Sequence, residues 1–148
     1  MNDMDPNLVV EARKITGTEA SFDVAEMFFS RTDDRGVIEA GNAVFQRIAG
    51  YDWNDLLGAP HKLIRHPETP KGLFYLMWER IKAGKSTGFY VRNITKHGQH
   101  YWVYALVTPL EEGYLSTRFK PISDKLPTID ALYQDLYRAE QDEGLSPQ

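Results

Sequence analysis

Pro60-His61-Lys62-Leu63-Ile64-Arg65-His66-Pro67-Glu68-Thr69-Pro70 decides how the rest of this chain is read. Proline removes a backbone donor and restricts the residue before it, so His66 and Thr69 are pushed toward extended backbone. A segment under that many constraints is a shaped loop. It feeds into a run in which Leu73, Phe74, Met77, Trp78 and Ile81 recur at helical spacing while Glu79, Arg80 and Lys82 face elsewhere, ending near Gly84. That is the pattern of an amphipathic helix. A rigid basic loop leading into a helix with aromatics on its buried side makes a mouth and a wall for a pocket.

Charge singles out the same stretch. Residues 61–85 carry 6 Lys and Arg against 2 Asp and Glu, whereas residues 1–60 carry 5 against 11 and residues 86–148 carry 6 against 8. A basic island in a chain of net charge −4 suits an anionic small molecule, or is a solvated surface patch. The overall negative charge argues against a general nucleic-acid binder. A length of 148 residues, 42% hydrophobic and 26% charged, suits one soluble globular domain. No apolar run approaches the ~20 residues of a membrane span. The acidic start, Met1-Asn2-Asp3-Met4-Asp5-Pro6, lacks the apolar core of a secretory signal. Cysteine is absent, which excludes disulfides, zinc thiolates and a thiol nucleophile, and is compatible with the cytoplasm.

Upstream of the loop, residues 1–21 read as a polar lead-in with a short helical piece at Leu8, Val9 and Ala12. Met27 to Thr32 and Val37 to Ala40 read as strands joined by the Asp33-Asp34-Arg35-Gly36 turn. Asn42 is a good N-cap for a helix over Ala43 to Ala49, which Gly50 ends. Tyr51 to Gly58 makes a further turn or two of helix. Downstream, Phe89 to Thr95, His100 to Val107 and Tyr114 to Phe119 are strands, and Leu126, Ile129, Leu132, Tyr133, Leu136 and Tyr137 mark an amphipathic terminal helix with Pro127 in its first turn. The polar tail from Glu140 is expected to fray. The boundaries are a lead-in over 1–21, a core domain over 22–122 and a terminal helix and tail over 123–148. The fold class is α+β: a five-stranded antiparallel sheet with helices inserted between the second and third strands.

This order of elements resembles a PAS domain. The likeness narrows at Gly58-Ala59-Pro60-His61, Arg65-His66-Pro67-Glu68-Thr69-Pro70, Phe74, Met77-Trp78, Asn93 and His100-Tyr101-Trp102-Val103, and continues through Tyr114, Ser116, Arg118 and Lys120-Pro121. These residues resemble the PAS domain of bacterial aerotaxis receptors, over roughly residues 26–137. The resemblance implies a non-covalently bound FAD that reports redox or oxygen status to a signalling partner. It implies flavin contacts at Asn42, Arg65, His66, Glu68, Phe74, Trp78 and Asn93. The chain departs from that family at Lys85-Ser86-Thr87-Gly88, where a Trp is frequent, and at Glu68, where Asp is usual.

The residues suit a flavin on chemical grounds. Asn42 and Asn93 can both donate and accept along an amide-like ring edge. Phe74 and Trp78 can wall a flat ring. Arg65 matches a diphosphate. Each also has a plainer role: Asn42 as a helix cap, Asn93 bonding the nearby turn, Phe74 and Trp78 as core, and Arg65 paired with Glu68. Haem on a loop histidine, His61 or His66, is a second possibility, another small ligand a third, and a cofactor-free adaptor or dimerisation module a fourth. A small flavoenzyme is the least supported, because no Gly-rich phosphate motif, nucleophile elbow or metal-binding His-Glu pair is present. The N-terminal segment and the terminal helix both offer a surface for a second copy.

Overall fold

The computed structural model describes residues 15–144. Five strands form one antiparallel sheet in the order β2-β1-β5-β4-β3. β1 is Met27–Thr32, β2 Ile38–Gly41, β3 Thr87–Ile94, β4 His100–Pro109 and β5 Tyr114–Phe119. Helices α1 (Ala43–Ala49), α2 (Trp53–Leu56) and α3 (Lys71–Lys82) fall between β2 and β3, and α4 (Leu126–Asp142) follows β5. The expected α+β architecture is therefore the observed one. The helical piece expected around Leu8 to Ala12 lies outside the described residues.

Strand alternation sorts the side chains. Phe28 and Ser30 of β1, Val91 and Asn93 of β3, Tyr101, Val103 and Ala105 of β4, and Ser116 and Arg118 of β5 are buried and belong to the face that meets the helices. Met27 and Phe29 of β1, Leu106 of β4 and Phe119 of β5 lie on the other face and are exposed. Helix α1 forms where its caps dictate. The Asn42 side chain accepts from Phe45 N at 3.1 Å, and Gly50 closes the helix at φ +82°, a left-handed conformation that glycine adopts without strain.

The proline-rich stretch covers both edges of the sheet. On one side, Ile38 N donates to Ala59 O and His61 N to Gly36 O, both at 2.9 Å, along β2. On the other, His66 N donates to Arg92 O at 3.2 Å, and Arg65 forms an isolated antiparallel bridge with Asn93 of β3. A flat sheet would separate its outermost strands by about 19 Å. The connection includes a 3-10 turn, His61–Ile64, rising only about 2 Å per residue, so it reaches both edges because the sheet curls. That 3-10 turn is absent from the sequence reading, which has only a loop here. Edge strands that would otherwise present bare backbone groups are covered by a single segment.

The end of the chain also differs from expectation. Glu140 is not frayed: α4 continues to Asp142, and the Glu140 carboxylate accepts from Lys71 N at 2.7 Å and Gly72 N at 2.9 Å. Helix α4 packs on the outer face, where the Tyr133 ring lies 5.8 Å from that of Trp102 and its hydroxyl donates to Tyr90 O at 2.7 Å.

Candidate ligand-binding site

A hollow lies between the inner face of the sheet, the 3-10 turn and α3. Its apolar wall is Phe74, Met77, Trp78 and Ile81 of α3, with Phe89, Val91, Ala105 and Val107 from the sheet. Polar groups enter from three directions: Asn93 from β3, Ser116 and Arg118 from β5, and His61 and Arg65 from the connection. The atom-free space is about 690 Å³ with the open mouth included.

The polar groups are poised by the fold. Arg118 sits on a strand face between Phe28 and Phe45, its guanidinium carbon 5.2 Å and 4.9 Å from their ring centroids, and is 1% exposed. Its Nη2 donates to Ser30 Oγ, and His61 Nε2 lies 3.0 Å from the same oxygen. Burial holds the His61 imidazole well below its ordinary pKa, and the charges of Arg118 and Arg65 push the same way. His61 is therefore neutral near pH 7. The arrangement that uses each group once has Arg118 donating to Ser30, the Ser30 hydroxyl donating to His61 Nε2, and the imidazole proton on Nδ1.

Two cations, Arg65 and Arg118, face the hollow with no carboxylate paired to either among the described residues. Burial lowers the pKa of Arg118 and of Arg65 to about 10, which leaves both charged at neutral pH. Among the described residues, Arg118 Nε and Nη1 are buried without an acceptor and Asn93 Oδ1 without a donor. The Arg65 guanidinium stacks 4.1 Å from the Phe74 ring centroid. Glu68, which the sequence reading offers as its salt-bridge partner, instead stands 3.7 Å from Arg92. Buried donors, acceptors and charges left unmatched cost free energy unless an occupant answers them.

Of the seven sequence candidates, Arg65, Phe74, Trp78 and Asn93 meet in the lining of the hollow. Asn42, His66 and Glu68 do not line it. The Asn42 amide is engaged within the protein: besides Phe45, Oδ1 accepts from Phe29 N at 3.3 Å and Nδ2 donates to Met27 O at 3.1 Å. His66 is buried, its Nδ1 accepting from Glu68 N at 3.1 Å, so it shapes the loop. His61, Ser116 and Arg118 also line the hollow; the sequence offers His61 only as a haem ligand, and Ser116 and Arg118 not as ligand contacts at all. A signal for two of them existed: Tyr114, Ser116 and Arg118 alternate along a central strand, which places both polar side chains on one face of the sheet. Among the described residues, no cluster of His, Cys, Asp or Glu suits a metal ion. No helix among them is long and apolar enough to cross a membrane.

Comparison with known proteins adds to this geometry. The sequence pattern of the PAS fold matches residues 39–118. The chain is 35% identical over 112 residues to the aerotaxis receptor of Escherichia coli strain K12, covering 72% of this chain and 22% of the receptor. It is 28% identical over 82 residues to a biofilm dispersion protein of Pseudomonas aeruginosa, covering 55% and 20%. It thus spans about a fifth of the length of these curated relatives. Among solved structures, the light state of the Aureochrome1 LOV blue-light photoreceptor superposes with a TM-score of 0.63 at 21% identity, covering 75% of this chain and 93% of that one.

Proposed function

Since this chain belongs to the PAS-fold family, we propose that it is a sensory module whose hollow binds a flavin, FAD in particular, and reports redox state to a signalling protein. The observation that carries the reading is the set of unanswered groups around the hollow: Arg118 Nε and Nη1 as donors, Asn93 Oδ1 as acceptor, and an apolar wall between them. The residues fit the group. A flavin edge alternates acceptors with an N–H, matching guanidinium donors and an amide oxygen, and its flat faces match Phe74 and Trp78. Arg65 would take the diphosphate. The likeness to an aerotaxis receptor supports the same cofactor.

A bound flavin would supply electron transfer, and the protein would tune it by hydrogen bonds and charge. Arg118 would favour any increase in negative charge beside it, since it is a fixed cation in a site of low dielectric. Neutral His61, through Ser30, would hold Arg118 in place. A change of charge in the hollow would then alter the hydrogen bonding of Asn93 and the β3 edge, and so bias the sheet and α4. This describes binding and signalling rather than catalysis.

The two arginines that face the hollow favour one further reading, a smaller anion held between Arg65 and Arg118. Calorimetric titration of the purified protein with FAD, riboflavin and simple carboxylates separates the two. One-to-one binding of FAD supports the flavin reading. Binding of a carboxylate with no heat from either flavin supports the smaller ligand.

A further inference from the structure

Helix α3, the wall of the hollow, starts without a cap of its own. Pro70 stands at its N-cap with no side-chain hydrogen bond, and its first turn holds no acidic residue. Such a sequence would leave the first amides orphaned. Those of Lys71 and Gly72 instead donate to the two oxygens of one carboxylate, Glu140, which is 69 and 68 residues away along the chain. Gly72 makes room for it, since a Cβ there would come within 3.2 Å of Glu140 Oε2. A carboxylate at a helix N-terminus is favoured twice, as an acceptor of charge-assisted hydrogen bonds and as a counter-charge to the helix dipole.

Glu140 belongs to α4, which buries none of its residues and grips the domain at Tyr133 and Glu140. Both grips fall on elements that build the hollow. Tyr133 holds the β3 edge at Tyr90, three residues before Asn93, and Glu140 holds the first turn of α3, just before Phe74 and Trp78.

We propose that Glu140 is a positioning residue for the ligand site. Its carboxylate fixes the first turn of α3 and, through it, the Phe74 and Trp78 wall, so the hollow is complete only while α4 is docked. This rests on the hollow being a ligand site. The coupling is reciprocal: an occupant that needs the wall in place also favours docked α4.

The test compares Glu140→Ala, Glu140→Gln and the same-helix control Asp142→Asn in the full chain, Asp142 being exposed. Three quantities are read: amide exchange at Lys71 and Gly72, the indole N–H resonance of Trp78, and the dissociation constant for FAD. For Glu140→Ala we expect exchange about tenfold faster, a displaced Trp78 resonance and several-fold weaker FAD binding. Glu140→Gln should fall between, and Asp142→Asn should match the parent. Unchanged exchange at Lys71 and Gly72 overturns the proposal. So do an unmoved Trp78 resonance and unchanged FAD binding where exchange has risen, because the cap would then serve only the helix. If the alanine variant does not fold, the glutamine variant decides on the same criteria. If the parent does not bind FAD, the flavin reading fails, and the Trp78 resonance alone decides the role of Glu140.

Discussion

Arg65 and Asn93 face each other across an isolated antiparallel bridge, so the basic connection and the strand that floors the hollow form one backbone unit. The cation offered to a diphosphate and the amide offered to a ring edge therefore move together. A ligand that engages both would bridge the segment leading into α3 and the strand edge held by α4.

Arg65 should discriminate among flavins by their tails. Arg65→Ala is expected to weaken FAD binding about tenfold or more, the cost of losing a charged hydrogen-bonding partner, while leaving riboflavin affinity nearly unchanged. Titration of both ligands into parent and variant checks this. Equal losses for the two would place Arg65 elsewhere on the ligand.

Arg118 should cost the empty protein stability. Its guanidinium is 1% exposed with two nitrogens unmatched, and a buried charge without an anion is poorly compensated even between two aromatic rings. Arg118→Met is therefore expected to leave the ligand-free protein as stable as the parent, or more stable by about 1–3 kcal/mol, while lowering FAD affinity at least tenfold. Denaturant melts without ligand, set beside titrations, give both numbers. A large loss of stability in the empty variant would mean that Arg118 is structural.

Acid should destabilise the fold through His61. Its folded pKa lies well below the ordinary histidine value of about 6.5, first from burial and then from the charges of Arg118 and Arg65. Below about pH 6.5 the unfolded chain binds a proton there that the folded chain refuses, so stability falls as pH drops through that window and is flat for this group above it. One such group gives a slope of at most about 1.4 kcal/mol per pH unit. His61→Gln should remove that part of the slope, as measured by thermal melts between pH 5 and pH 7 (about the range in which histidine titrates). In Arg118→Met the His61 pKa should rise while staying below its ordinary value, because burial, the larger cause, remains; an imidazole NMR titration reads it directly.

Much of the fold is legible in the sequence because its signals are local. Asn42 and Gly50 bracket α1 with a cap at each end, and alternation marks β3 and β4 to within a residue or two. The site is only half legible. Phe74 and Trp78 declare themselves by helical spacing, but the same rule cannot separate a pocket wall from a core. Asn42 carries the right amide for a ring edge, yet its three hydrogen bonds to β1 and α1 show it as a cap. His61 is legible as a loop histidine but its place beside Ser30 and Arg118 is not, because a four-residue 3-10 turn has no periodicity to orient it. Glu140 is illegible because a polar residue in a charged stretch looks solvated, and its partners lie 69 and 68 residues away along the chain. Nor does the start of α3 give it away: Thr69-Pro70 reads as an N-cap followed by a first helical residue, whereas the helix begins at Lys71 with Pro70 at its N-cap and the Thr69 hydroxyl turned to Arg92 O.

The central claim is that the hollow ringed by Arg118, Asn93 and Trp78 holds a flavin. The most direct test is the visible absorption spectrum of the freshly purified protein, before and after incubation with FAD, with the released cofactor identified after denaturation. The account predicts flavin bands that bleach on reduction and the recovery of about one FAD per chain. A protein that stays colourless after incubation with FAD, or one that shows a haem Soret band, would contradict it.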